Sequence, residues 1–317
     1  MTRMTVVGSF AVGLTIRTPG LPIFGQTILG SDFDFGPGGK GSNQAVGLAR
    51  LGMNVGLVTC VGQDELANVA INLYREEGVD SRYVIQDDRR ATGAGIIVLN
   101  TEGDNFIILD MGANELMDRA FVEAASDMIA KSDVVMAVLE IPTEAACAAM
   151  ELGKRAGAKT ILNPAPARAL PDTAFQNVDY LTPNESELRI LMGLAADDPT
   201  PTRDLAMTLR ERGVGTVIVT MGRQGALVLG PDTDTLVPSP IVDVVDSTGA
   251  GDAFNAGFAA ALAEGHPLLT CVAIGTAAGA HACTRLGVIP SLASRRGLAE
   301  FMAGTDHSNK GTLNETW

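Results

Sequence analysis

The order of segment types limits this fold more than any single residue does. Short, apolar, β-branched runs alternate with longer runs of helical period. "NVGLVTCVG" (54–62) reads as a strand, and "DELANVAINLYREEG" (64–78) as a helix with an acidic start and a Gly end. "SDVVMAVLE", "TEAACAAMELGKRAG" and "KTILNPAP" repeat strand, helix, strand between residues 132 and 166, and "TRDLAMTLRERG" runs into "GTVIVTMG" the same way. Parallel strands need a crossover of a dozen or more residues, usually a helix. The predicted class is therefore α/β, with a Rossmann-like, mostly parallel sheet flanked by helices. Two Ala-rich helices are expected at about 250–264 and 267–283.

Two regions break the rhythm. Residues 11–37 are rich in Gly, Pro and Phe without helical period, and 91–110 read as two strands around a Thr-Glu-Gly-Asp turn. Both are expected to be β structure outside the main sheet, together a small flap over its edge. A chain of 317 residues is long for one core and short for two full domains. The expected division is a core of 1–10, 38–90 and 111–303, a β lid of 11–37 and 91–110, and a loosely held polar tail of 304–317. "MTVVGS" (4–9) is a first buried strand, not a signal peptide, because no cleavage site follows it. No apolar run is long enough to span a bilayer.

A net charge of −14 opposes the phosphate backbone of nucleic acid, so neither nucleic acid nor a membrane is expected as a partner. Cys60, Cys147, Cys271 and Cys283 are scattered in apolar stretches and read as buried free thiols of a cytoplasmic protein. His281 lies in a helix-like Ala-rich run and reads as a packed residue.

Two glycine clusters could carry chemistry. "GPGGKGSNQA" (36–45) contains GxGxxG through Gly36, Gly38 and Gly41, but lacks the strand-turn-helix setting of a dinucleotide fingerprint. It is no Walker A loop either, since Gly41 follows Lys40. It is a tight turn with a solvated Lys, or a turn whose Lys40 and Asn43 reach a polar ligand. "DSTGAGDAFNAG" (246–257) sets an aspartate at a Gly-rich helix start, where backbone N–H groups attract anions. Asp252 either caps that helix or takes a proton from an attacking hydroxyl while Gly249, Ala250 and Gly251 face a phosphoryl group. "TPNESE" (182–187) offers Asn184 and Glu187 either as a helix cap or as partners of a hydrated Mg²⁺.

With "GGKGSNQA", "NPAPAR", "TPNESE", "VTMG" with Gly225 behind it, "DSTGAGDAF" and "TRLGVIPS" in this order, the sequence resembles the ribokinase (PfkB) family of sugar and nucleoside kinases from about residue 4 to 300. The resemblance implies an ATP-dependent kinase acting on a primary alcohol, with Asp252 as base and Gly249, Ala250 and Gly251 as anion hole. It implies sugar contacts at Gly39, Lys40, Asn43 and Glu140. Asn184, Thr220, Gly222, Gly225 and Gly251 fall where ATP is held, and Glu187 where Mg²⁺ is held through water. Asp246, Thr248, Ala282, Arg285, Gly287 and Ser291 resemble a site for a monovalent cation such as K⁺. A homodimer through the lid is also implied.

One departure bears on the substrate. Ribokinases carry Asn and Asp shortly after the first "GS", where this chain has Ala11 and Gly13. The expected acceptor is a pentose or related polyol. Phe10, Phe24, Phe33 and Phe35 crowd the expected lid, packing it or a dimer contact, or stacking on a nucleobase. A nucleoside kinase is the alternative enzyme, and a silent sugar-binding regulator the alternative outside enzymes. A nicotinamide-dependent dehydrogenase is the remotest reading.

Overall fold

The apolar runs pair side by side in a computed structural model that describes residues 2–100 and 105–305. The strands are β1 (Arg3–Val7), β2 (Ala11–Arg17), β3 (Ser31–Gly38), β4 (Asn54–Gly62), β5 (Asp80–Asp87), β6 (Gly93–Leu99) and β7 (Asn105–Asp110). β8 (Val134–Val138), β9 (Lys159–Asn163), β10 (Tyr180–Leu181), β11 (Thr216–Thr220), β12 (Ala226–Leu229) and β13 (Asp234–Val237) follow. Among the described residues, nine strands form one sheet in the order β13-β12-β11-β10-β9-β8-β1-β4-β5. It is parallel from β5 to β11. On one edge β12 alone runs against the others, pairing antiparallel with β11 and, through a hairpin, with β13. Four further strands form a separate sheet, β3-β2-β6-β7.

Strand pleat sends alternate side chains to opposite faces. Met4 and Val6 of β1 join one apolar cluster and Val7 the other; Val134 and Met136 of β8 face away from Val135 and Ala137. Helices Lys40–Arg50, Ala250–Ala263 and Leu268–Ala282 cover the first face, and Thr143–Arg155 and Thr202–Glu211 the second. The two Ala-rich helices touch closely because they lack bulk: a Cβ at Gly257 would lie 2.8 Å from Ala278 Cβ. His281 is buried, its Nδ1 3.2 Å from Ser291 O and its ring packed edge-on against Phe301.

Several expectations need correction. Phe10 is not in the small sheet; it is fully buried in the main core, edge-on to Tyr74. Gly38 closes β3 and so belongs to the small sheet's pairing. Gly304 and Thr305 continue the helix Arg295–Thr305, where Thr305 Oγ1 donates to Phe301 O and Met302 O. The remainder of the expected tail, 306–317, and the expected turn at 101–104 lie outside the described residues. The four thiols are free, but only Cys60 and Cys271 are buried; Cys147 and Cys283 are half-exposed. No described helix is long and apolar enough to cross a membrane.

The first helix sits against the end of β1 with backbone touching backbone. A Cβ on Gly41 would stand 2.6 Å from Gly8 Cα and from Ser9 N, neither of which is a flexible side chain. Gly41→Ala is therefore expected to lower stability by about 1–3 kcal/mol through overpacking, read as a lower denaturation midpoint. Gly304→Ala, at a helical position with nothing within 4 Å, is the control and is expected to leave the midpoint unchanged or raised.

Candidate active site

Both glycine clusters end at the carboxyl edge of the parallel sheet, each opening a helix. Gly39, at φ 87°, precedes the helix Lys40–Arg50; Gly249, at φ 80°, precedes Ala250–Ala263. These left-handed values favour glycine at both starts. β3, which feeds the first cluster, belongs to the small sheet. The GxGxxG pattern is thus not the turn of a βαβ unit, which is why it is no dinucleotide fingerprint.

The two helix starts meet at Asp252. This carboxylate is 4% exposed, and its own helix provides no side-chain cap bond. Asn43 Nδ2 donates to Asp252 Oδ2 at 2.8 Å and Gln44 Nε2 to Oδ1 at 3.1 Å. A buried charge left without such donors would be strongly unfavourable. Around it, the N–H groups of Gly249, Gly251 and Asp252 meet no acceptor among the described residues. Ala250 differs from the expectation here: its N–H donates to Ser247 O at 3.2 Å. A Cβ at Gly251 would meet nothing within 4 Å, so the turn opens to free space.

Glu140 follows β8 and accepts from Ser9 Oγ at 2.5 Å and from Lys40 N at 2.7 Å. Lys40 is not a solvated surface lysine. The Asp252 carboxylate holds its ammonium above the ordinary lysine value; burial opposes this, and Glu140 and Glu187 add to it. Lys40 therefore stays charged at neutral pH.

Asn184 and Glu187 form a reciprocal capping box at the start of the helix Glu185–Leu191. Asn184 Oδ1 accepts from Glu187 N, and Asn184 N donates to Glu187 Oε2, both at 2.8 Å. Burial raises the Glu187 carboxyl above its ordinary value, against the Asn184 N–H and Lys40. Thr220, at the end of β11, bridges to Asn184 and donates its N–H to Pro183 O at 2.9 Å. Asn184, Thr220 and Gly222 line a polar cleft of about 480 Å³ with Ser186 and Arg189. Gly225 turns the chain at φ 105°, where a Cβ would overlap Val237 O. Asp252 does not line this cleft; the charge of Lys40 acts on both Asp252 and Glu187.

The expected cation residues also converge. Asp246 Oδ1 accepts from Thr248 N at 2.9 Å, and Oδ2 accepts from Gly287 N at 3.1 Å. Burial pushes this carboxyl up, but these bonds outweigh it and hold it below the ordinary range. Val245 N donates to Cys283 O, beside Ala282. Ser291 is buried and turns its Oγ to Val288 O, while the Arg285 side chain is exposed.

Four residues beside Asp252 were not expected: Gln44, Asn163, Thr182 and Asn255, all buried and hydrogen-bonded to one another. All four lie within the quoted motifs, Gln44 and Asn255 in the two glycine clusters, Asn163 in "NPAPAR" and Thr182 in "TPNESE", but nothing in the spacing marked them as partners.

Comparison with known proteins agrees with this geometry. The model of the pfkB family carbohydrate kinase matches residues 1–295. The ribokinase of Haemophilus influenzae is 33% identical, covering 94% of this chain and 98% of that one. The deoxyribokinase of Salmonella typhi is 36% identical, covering 81% and 84%. Among solved structures, the ribokinase of Thermotoga maritima superposes with a TM-score of 0.88 at 33% identity, over 96% and 100% of the two chains. The Arabidopsis thaliana ribokinase, complexed with ribose and ATP, gives 0.88 at 27%, over 95% and 99%. A match over nearly the whole chain, with the same fold beneath it, means that this protein belongs to the pfkB family of carbohydrate kinases and is a sugar kinase.

Proposed function

We propose that the protein transfers a phosphoryl group from ATP to the primary alcohol of a pentose or related polyol, with Asp252 as general base. One observation carries this reading: a buried carboxylate stands in the first turn of a glycine-opened helix, both its oxygens held by amide donors from the other cluster.

The chain's residues fit ATP and Mg²⁺. The open turn at Gly251 and its unpaired N–H groups suit phosphate oxygens. Asn184, Thr220 and Gly222 would hold the nucleotide in the adjoining cleft, where Gly225 shapes the turn, and Glu187 would hold the metal through water. When bound, the nucleotide supplies the transferable phosphoryl group and the metal offsets its charge. Asp252 would take the proton from the acceptor hydroxyl as that oxygen joins the γ-phosphorus and the bond from that phosphorus to the departing ADP oxygen breaks. The N–H groups of Gly249, Gly251 and Asp252 face the charge that develops on the phosphoryl oxygens. Lys40 keeps a positive charge beside both carboxylates. Asn43 Oδ1 is buried without a partner, which suits a donor hydroxyl of the acceptor. Glu140 and Gly39 form the rest of the sugar end.

A nucleoside acceptor is the second reading, favoured by the register of the small sheet. Ala11 pairs with Gly38, and Gly13 with Gly36 and Gly95, leaving a nearly side-chain-free row on β2. Ser9 alternates with Phe10, Val12 and Leu14 on the same side as Ala11 and Gly13, and its hydroxyl reaches Glu140. A substrate ring finds backbone there in place of the polar side chains that D-ribose would need. The small sheet would act as the lid. Its row Leu14, Phe35, Ile96 and Ile108 spans four strands, and the last three are exposed. This favours a homodimer through the lid. Asp246, Thr248 and the carbonyls of Ala282, Arg285, Gly287 and Ser291 would hold K⁺. Free thiols fit a cytoplasmic location.

ATP-to-ADP turnover with Mg²⁺ against pentoses, deoxy sugars and nucleosides tests the reading; one accepted alcohol supports it. Asp252→Asn is expected to lower kcat by about 10²–10⁴ with ATP still bound; unchanged turnover would overturn the base. Replacing tetramethylammonium by potassium should raise turnover, and indifference counts against the cation site. Sedimentation should show a dimer that Ile108→Asp converts to monomer; an unaltered mass in the variant would refute the lid interface.

A further inference from the structure

Five buried polar side chains, that of Asp252 among them, and the carbonyls of Thr182 and Gly251 close a ring. Gln44 Nε2 donates both to Asp252 Oδ1 at 3.1 Å and to Asn163 Oδ1 at 3.0 Å. Asn163 Nδ2 donates to Thr182 O at 3.0 Å. Thr182 Oγ1 donates to Asn255 Oδ1 at 2.7 Å, and Asn255 Nδ2 to Gly251 O at 2.8 Å. Gly251 is bonded to Asp252, so the circuit returns to its start. Every side chain of the ring is buried, none belonging to a residue more than 6% exposed.

The direction of each bond in the ring is dictated, not arbitrary. The Asp252 carboxylate can only accept, so Gln44 must present its NH₂ to it. The second hydrogen of that NH₂ then requires the oxygen of Asn163, whose own NH₂ meets a carbonyl that can only accept. From the other end, Gly251 O requires the NH₂ of Asn255, whose oxygen is left for the Thr182 hydroxyl. Turning over the amide of Gln44 or Asn163 breaks two bonds, and turning over that of Asn255 leaves Gly251 O without its side-chain donor.

We propose that this ring is a positioning device for the phosphoryl transfer. It holds the Asp252 carboxylate and the Gly251–Asp252 peptide as one unit, and Gln44, Asn163, Thr182 and Asn255 act through it. The inference rests on the reading of Asp252 as base. The carbonyl that Asn255 grips belongs to the same rigid peptide plane as the Asp252 N–H. One grip therefore sets the orientation of an anion-binding donor, and the other sets the base. The ring also joins segments far apart in sequence. Gln44 neighbours Asn43 at the acceptor end, and Thr182 leads through Pro183 to Asn184 at the nucleotide cleft. Reacting groups displaced by about 1 Å can lose on the order of 100-fold in rate, which is the loss such a ring prevents.

Thr182 is the cleanest probe, because its side chain touches neither Asp252 nor Gly251. Thr182→Val keeps the shape, removes the hydroxyl and leaves Asn255 Oδ1 without its donor. It is expected to lower kcat about tenfold or more, with KM for ATP within about threefold. Thr182→Ser, which restores the hydroxyl, should return kcat to within about twofold of the parent. Gln44→Met and Asn255→Leu should each lower kcat about 10–100-fold, and the double variant no further than the worse single, because one broken ring is broken once. Melting temperatures measured alongside identify variants that are not folded at the assay temperature. If Thr182→Val does not fold, the Gln44 and Asn255 cycle decides. A folded Thr182→Val with parental kcat, or losses at Gln44 and Asn255 that multiply, would overturn the ring. Inactive Asp252→Asn beside fully active Thr182→Val sinks the ring alone; active Asp252→Asn sinks the base and the ring together.

Discussion

The site depends on how closely one helix can approach the end of one strand. Gly8 and Gly41 let the helix Lys40–Arg50 rest backbone-on-backbone against β1. A single methyl group there would push the helix outward. Two residues further on, Asn43 and Gln44 use that proximity to reach Asp252, more than 200 residues away in sequence. Without their amides, the carboxylate would be buried with no hydrogen-bond donor in place of water, a strongly unfavourable state. The close approach thus allows a charged group to exist at the one place where the turn's N–H groups also point.

Electrostatics extend the same unit. Lys40 starts that helix and carries charge between Asp252, Glu140 and Glu187. Its charge acts both on Asp252 and on Glu187 of the capped helix start. Capping leaves room for the role proposed for Asn184 and Glu187. The capping box uses Asn184 Oδ1 and Glu187 Oε2, which fixes both side chains in place and leaves Glu187 Oε1 with no hydrogen bond to the described chain. The same bonds that stabilise the helix start therefore pre-orient the group expected to meet the metal.

Much of this was legible in the residues. Period-2 and period-3.6 patterning located the parallel strands and the long helices, because burial on a sheet face or a helix stripe leaves that mark. The edge hairpin of β12 and β13 was not read, since "ALVL" and "DTLV" are too short to show alternation. Phe10 resembles its neighbours because it adjoins Gly- and Phe-rich chain; what separates it from the exposed Phe33 and Phe35 of β3 is its place in the link between β1 and β2, where it packs inward onto Tyr74. Gln44, Asn163, Thr182 and Asn255 were invisible as a group, because each alone is an ordinary polar residue near a turn.

The sequence by itself determined the class of fold, the two glycine-opened helix starts and the residue types that phosphoryl transfer requires. These are local properties: periodicity, turn chemistry and the free N–H groups of a helix start are set within a few residues. Only the tertiary structure decided that both starts meet at one carboxylate, Asp252, and that four further buried polar side chains close a ring with it. Each of these depends on distances between segments brought together by the sheet order, and no spacing along the chain encodes such a distance directly.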